Sequence, residues 1–222
     1  YTRICFSLRK SWCTPTDMNE IKTDTSNVPN KGNASKRGKR HSARQIGLNK
    51  TIVLVGLMGA GKTTVGRRLA RKLHLPFVDS DHEIEKAACL SVAEIFELFG
   101  EDEFRSGERR VIERLLKGKA KILATGGGAY MNAATRALIK ENAITVWIKV
   151  DVPLLVERTS LRDTRPLLKN GNRLEILTRL ADERYPVYSE ADITAVSAQG
   201  SHDIVVDEII GLLAKFHRNN HE

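Results

Sequence analysis

From Thr51 onward the chain alternates between short apolar runs and longer segments whose apolar residues recur at helical spacing. Five runs have strand length and little internal alternation, as strands covered on both faces do: Thr51–Val55, Pro76–Asp79, Ile122–Thr125, Ile144–Val150 and Asp192–Val196. Around them a 3.6-residue period predicts helices over Lys62–Leu73, Asp81–Ala88, Val92–Phe99, Glu101–Lys117, Ala133–Glu141, Pro153–Thr159, Arg173–Tyr185 and Asp203–Phe216. Ser91 followed three residues later by Glu94 is a capping box for the third of these. Strands and helices in alternation build a parallel sheet with helices on its faces, an α/β architecture. Within that pattern Ser160–Asn172 has no clear period and reads as a mobile loop. Trp147 reads as core, Cys89 as a small packing residue, His74 and His82 as surface or capping residues, and Tyr130 and Met131 as the start of a helix.

Residues 1–50 lack any sustained apolar period, and the polar run Thr23–Arg40 offers too little burial to offset the entropy of ordering it. They read as a disordered basic N-terminal extension before a domain spanning 51–222. An organelle transit peptide is the second reading of this extension, with Asp17, Glu20 and Asp24 counting against it. The opening YTRICFSLRKSW is broken by charge, which counts against a secretory signal there, and no apolar stretch is long enough to span a membrane.

Composition changes this picture little. A chain of 222 residues that is 41% hydrophobic and 28% charged suits one packed domain. The formal charge of +9 invites a nucleic-acid reading, but residues 1–50 hold 11 Lys/Arg against 3 Asp/Glu, so the remainder is nearly neutral. The extension's aromatics, Tyr1, Phe6 and Trp12, all lie at one end and make no interleaved stacking platform, so nucleic acid is not the expected partner. Cys5, Cys13 and Cys89 have neither disulfide nor metal-ligand spacing, which fits a reducing, cytoplasmic setting.

Chemistry enters with Gly56-Leu-Met-Gly-Ala-Gly-Lys62-Thr63, a GxxxxGK[ST] string between an apolar run and a helix. In that context the backbone N–H groups around Gly59, Ala60 and Gly61 turn inward on a polyphosphate and the helix N-terminus, with Thr64 in its first turn, adds its dipole. Lys62 reaches the β- and γ-phosphates, and Thr63 offers a hydroxyl to Mg²⁺. Asp79 and Asp81, two apart at the C-terminal end of a strand, project to one side if the chain stays extended. One then serves Mg²⁺ and the other an acceptor hydroxyl; the alternatives are a solvated pair, or Asp81 capping its helix. Gly126-Gly127-Gly128 after a third apolar run permits close backbone approach to a ligand, or is a bare turn. Arg105, Arg158, Arg162, Arg165 and Arg184 supply guanidiniums suited to carboxylate or phosphate, with Glu108 three residues after Arg105 and able to orient it. Arg165 in a flexible loop beside a phosphate site is the arrangement of a lid.

As a set, GLMGAGKTTVGRRLA, FVDSDHEIE, FRSGE, ATGGGA, TRPLL and ERYPVYSEAD resemble the shikimate kinases over about residues 51–215. The resemblance implies a three-layer P-loop kinase fold, with a five-stranded parallel sheet in the order 2-3-1-4-5 and helices on both faces. It implies transfer of the ATP γ-phosphate to the 3-hydroxyl of shikimate, giving shikimate 3-phosphate and ADP on the route to chorismate and the aromatic amino acids. ATP is then the co-substrate, Mg²⁺ the cofactor, and a monomer the expected state. By the same resemblance Asp79 holds Mg²⁺ through water and Asp81 binds the acceptor and is the proposed base. Arg105 and Arg184 grip the shikimate carboxylate, Gly127 offers its N–H to the substrate, Arg165 meets the transferring phosphate and Arg158 lies against adenine. A related gluconate or nucleoside-monophosphate kinase, and a catalytically silent nucleotide-binding module, are the competing readings.

Overall fold

The computed structural model describes residues 47, 49–160 and 171–219. Five parallel strands, β1 (Thr51–Val55), β2 (Phe77–Asp79), β3 (Ile122–Ala124), β4 (Ala143–Lys149) and β5 (Ile193–Val196), form one sheet in the order β2-β3-β1-β4-β5. The order implied by the resemblance is the one observed. Ile52 stands in register with Ile122 on one side and Ile144 on the other, and Val146 with Ile193. The central β1 is enclosed throughout, so its run TIVLV needs no polar face. At the edge, β5 instead alternates, with Ile193 and Ala195 buried and Thr194 and Val196 exposed.

The helices are α1 (Lys62–Leu73), α2 (Ser80–Ala88), α3 (Val92–Leu116), α4 (Ala133–Asn142), α5 (Val152–Ser160), α6 (Arg173–Tyr188) and α7 (His202–Asn219). The β1-to-β2 connection passes β3 in one direction, while β3-to-β4 passes β1 in the other. Right-handed crossovers therefore put α1 on one face and α4 on the opposite face. The direction of winding reverses at β1, which opens a crevice at the carboxyl ends of the strands. α7 packs against α1 and β5.

Local chemistry explains the boundaries. The Ser91–Glu94 capping box is present at the start of α3. Gly100 breaks α3 with φ 77° and ψ 178°, a conformation open to glycine, at the gap between the two helices expected there. Asp79, not Asp81, caps α2: its Oδ1 accepts the Asp81 N–H at 3.2 Å, and the helix begins one residue early, at Ser80. Tyr130 and Met131 do not begin α4. They belong to a separate 3₁₀ turn, Ala129–Met131, and Asn132 caps α4 through the Thr135 N–H. Cys89 is exposed at the left-handed C-cap of α2, so it is no packing residue. His74, exposed, holds the same position after α1. α6 continues through Pro186 to Tyr188, beyond the expected end at Tyr185, and buries Tyr188 completely. Gly47, within the expected extension, lies against His217 of α7, so the packed unit reaches back at least that far.

Candidate functional site

After β1 the loop turns through Gly56, Gly59 and Gly61, with φ of 142°, 82° and 88°, values that an L side chain resists. Gly61 stands at the N-cap of α1 without a side-chain cap, so the first N–H groups of the helix remain directed at the mouth of the loop. Lys62 folds across its own loop, donating from Nζ to Gly56 O at 2.8 Å and Leu57 O at 3.0 Å. Thr63 Oγ1 donates to Asp79 Oδ2 at 2.9 Å, which joins the start of α1 to the end of β2. Thr64 follows, half-buried, in the first turn of α1. This wall of the site is closed by α5 and α7. A Cβ on Gly59 would come 2.8 Å from the Thr159 methyl, and one on Gly61 would come 3.3 Å from His202 Nε2. Arg158 donates to Ser197 Oγ at 3.2 Å and to Ala198 O at 3.0 Å, anchoring α5 to the loop after β5. Burial, then Arg158 and Arg68, lower the His202 pKa, while Asp203 opposes them. No sequence pattern marks His202, since its neighbours come together only through the packing of α7 on α1.

The second half of the site gathers around the glycine turn after β3. The Asp81 carboxylate is half-buried there, and its pKa is raised by desolvation and by Asp79 against the pull of Lys62 and the Ser80 hydroxyl. A Cβ on Gly126 would stand 2.7 Å from Asp81 Oδ1 and 3.2 Å from Glu108 Oε1, and one on Gly128 would stand 2.3 Å from Arg105 Nη2. The absent side chains at 126 and 128 are therefore what admit Asp81 and Arg105 to the turn, and a bare loop needs no such clearance. Arg105 is held from three sides. Glu108 accepts from Nη1 at 2.8 Å, Glu101 accepts from Nε and Nη2 at 3.3 and 3.2 Å, and the guanidinium lies over the Phe104 ring at 5.1 Å. Burial works against the Arg105 charge, yet Glu108 and Glu101 hold its pKa above the ordinary value. Glu108 performs the orienting role expected from its spacing. Burial pushes its own carboxyl up to about 7 despite Arg105.

Arg184 of α6 reaches the same turn, donating from Nη1 to Gly127 O at 3.2 Å, and the Tyr188 hydroxyl donates to that oxygen as well. Gly127 also abuts the phosphate loop, since its Cβ position is 3.5 Å from both Gly56 O and Met58 N. Lys62, Thr63, Asp79, Asp81, Arg105, Gly127 and Arg184, scattered over more than a hundred residues of sequence, thus converge on one crevice. Arg162 and Arg165 lie outside the described residues, as does most of the expected lid. The donors at the loop mouth, a hydroxyl and a carboxylate, are the hard oxygens that Mg²⁺ takes. Among the described residues no group of three or more His, Cys, Asp or Glu could hold a metal.

The sequence model of the shikimate kinases matches residues 58–214. The chain is 53% identical over 168 residues to the shikimate kinase of Caulobacter vibrioides, covering 76% of this chain and 84% of that protein. It is 52% identical over 171 residues to that of Brucella canis, covering 77% and 86%. The solved structure of Acinetobacter baumannii shikimate kinase in complex with shikimate matches with a TM-score of 0.74 at 40% identity, over 78% of this chain and 97% of that one. A gluconokinase from Sinorhizobium meliloti, 17% identical with a TM-score of 0.54 over 78% of this chain and 96% of that one, shares the fold.

Proposed function

The chain belongs to the shikimate kinase family, and on that premise we propose how its residues divide the transfer of the ATP γ-phosphate to the 3-hydroxyl of shikimate. The observation that carries the division is the glycine turn. Asp81, Arg105 and Arg184, from three different helices, meet at Gly126–Gly128 next to the phosphate loop.

Arg105 and Arg184 bind the carboxylate of shikimate, which explains how a nearly neutral domain selects an anionic substrate. The Gly127 N–H orients the ring. The substrate's 3-hydroxyl then faces Asp81, whose raised pKa suits it to receive the hydroxyl proton as the oxygen forms its bond to the γ-phosphorus. The bond between that phosphorus and the β–γ bridging oxygen breaks, and ADP leaves. Lys62 moves from the carbonyls of Gly56 and Leu57 to the β- and γ-phosphates, and the loop's N–H groups from Gly59 through Thr64 hold the nucleotide. Mg²⁺, when bound, would neutralise phosphate charge; Thr63 would supply its hydroxyl ligand, and Asp79 would hold it through water. Arg158 faces adenine from α5, and Arg165 meets the transferring phosphate from the lid. Catalysis of this kind is positioning and fixed charge rather than covalent chemistry. The same reading assigns the catalytic residues to 51–222, leaves the basic segment 1–50 outside the catalytic machinery although Gly47 packs on α7, and has the enzyme act as a cytoplasmic monomer.

A coupled assay for ADP release against shikimate, gluconate and AMP tests the substrate. Turnover with shikimate alone is expected, and preferred turnover of gluconate or AMP would overturn the assignment.

A further inference from the structure

Tyr188 is the last residue of α6, one helical turn beyond Arg184, and it is wholly buried. Residues four apart share a helix face, and here both reach one acceptor, the carbonyl oxygen of Gly127. A buried phenol needs a hydrogen-bond partner, and Gly127 O supplies it. The ring cannot swing away, because Trp147 of β4 stands 6.0 Å and Tyr185 6.4 Å from it, centroid to centroid. Tyr185 is itself tied by its hydroxyl to Val150 O. The phenol remains a donor across any working pH, since burial pushes its pKa up to about 12.

The peptide that follows Gly127 has no side chain on either flanking residue to hold it. In a planar trans peptide the C=O and the next N–H point in opposite directions. Fixing the Gly127 carbonyl toward α6 therefore fixes the Gly128 N–H away from it and limits the torsions that aim the Gly127 N–H. We propose that Tyr188 is a positioning residue for the acceptor: its hydroxyl locks the Gly127–Gly128 peptide so that the turn presents its N–H groups to shikimate, and it frees Arg184 from being that carbonyl's only donor. Arg184 then divides its N–H groups between the turn, the Tyr188 hydroxyl and the substrate carboxylate, with Tyr188 sharing the carbonyl's demand. This inference rests on the reading of Gly127 and Arg184 as shikimate contacts.

The test compares the full chain with Tyr188→Phe, which keeps the ring and removes only the hydroxyl. Tyr188→Met serves as a second, smaller and more flexible variant without a donor, and Arg184→Ala tests the underlying reading. For Tyr188→Phe the KM for shikimate should rise by roughly three- to tenfold, the range expected for one net hydrogen bond. The KM for ATP should stay within about twofold of the wild-type value, since no nucleotide contact passes through Tyr188. An unchanged shikimate KM in Tyr188→Phe, alongside a raised one in Arg184→Ala, would overturn the role of Tyr188 alone. Equal increases in both KM values, or failure of both Tyr188 variants to fold, would make Tyr188 a scaffold residue and also overturn it. An unchanged shikimate KM in Arg184→Ala would overturn the substrate-site reading beneath it.

Discussion

Glu108 accepts a hydrogen bond from Arg105 at 2.8 Å while only 1% exposed, and its second carboxylate oxygen, Oε1, is buried with no hydrogen-bond partner among the described residues. The pair is unequal. Arg105 keeps one edge toward the glycine turn, whereas Glu108 is enclosed beside Asp81 and its pKa stands at about 7. A buried acid of this kind orients its partner at some cost to the fold whenever it is charged.

The folded-state pKa of Glu108 lies above its ordinary value of 4.5, so the folded protein holds the proton more tightly than the unfolded chain. The stability this contributes is complete below about 4.5 and is lost as pH rises toward about 7. The unfolding free energy measured across that window should fall with pH in the wild type, with about 3 kcal/mol at most coming from Glu108, and fall less steeply in Glu108→Gln. Parallel pH profiles for the two proteins would show that Glu108 is not the titrating group.

Gly128→Ala should act mainly on the substrate site. Its new methyl would stand 2.3 Å from the Arg105 guanidinium, which must then loosen its hold on the buried Glu108 to move aside. Stability should fall by about 1–3 kcal/mol, while the shikimate KM rises about tenfold or more as Arg105 is displaced from the turn. A normal KM in a stable Gly128→Ala protein would mean that Arg105 does not act from its observed position.

Asp81→Asn keeps the size of the side chain and removes its ability to take a proton. Turnover should fall by about 100-fold or more, with ATP affinity measured by titration calorimetry within about twofold of wild type. Unchanged turnover would exclude Asp81 as the base.

Thr63→Val removes the hydroxyl that now donates to Asp79 at 2.9 Å and keeps the branched shape. The Mg²⁺ concentration needed for half-maximal rate should rise by about tenfold, and Thr63→Ser should restore it, because only the hydroxyl is required. Equal magnesium requirements in the valine and serine variants would remove Thr63 from the ion's surroundings.

The phosphate loop was legible because its chemistry is contiguous. Glycines at positive φ, a lysine and a hydroxyl all act within eight residues, and the flanking strand and helix are equally local. The Arg105–Glu108 pair was legible for the same reason, as three-residue spacing on a helix fixes the contact. That Asp79 rather than Asp81 caps α2 is not legible in the sequence, because the two are equivalent in a string and differ only in backbone angle. Cys89 was misplaced because the sequence does not say where α2 ends against solvent.

The sequence by itself determined the alternation of strand and helix, the phosphate loop, the break at Gly100 and, through the matched motifs, the family. Each depends on period or on neighbours along the chain. Only the tertiary structure decided that Tyr188 and Arg184 share one carbonyl with Gly127, that His202 lies against Gly61, and that Gly126 and Gly128 clear space for Asp81 and Arg105. Those relations join residues brought together by the reversal of winding at β1, where the angle between packed elements and the room between them set each contact, and neither quantity is written in the spacing of residues along a chain.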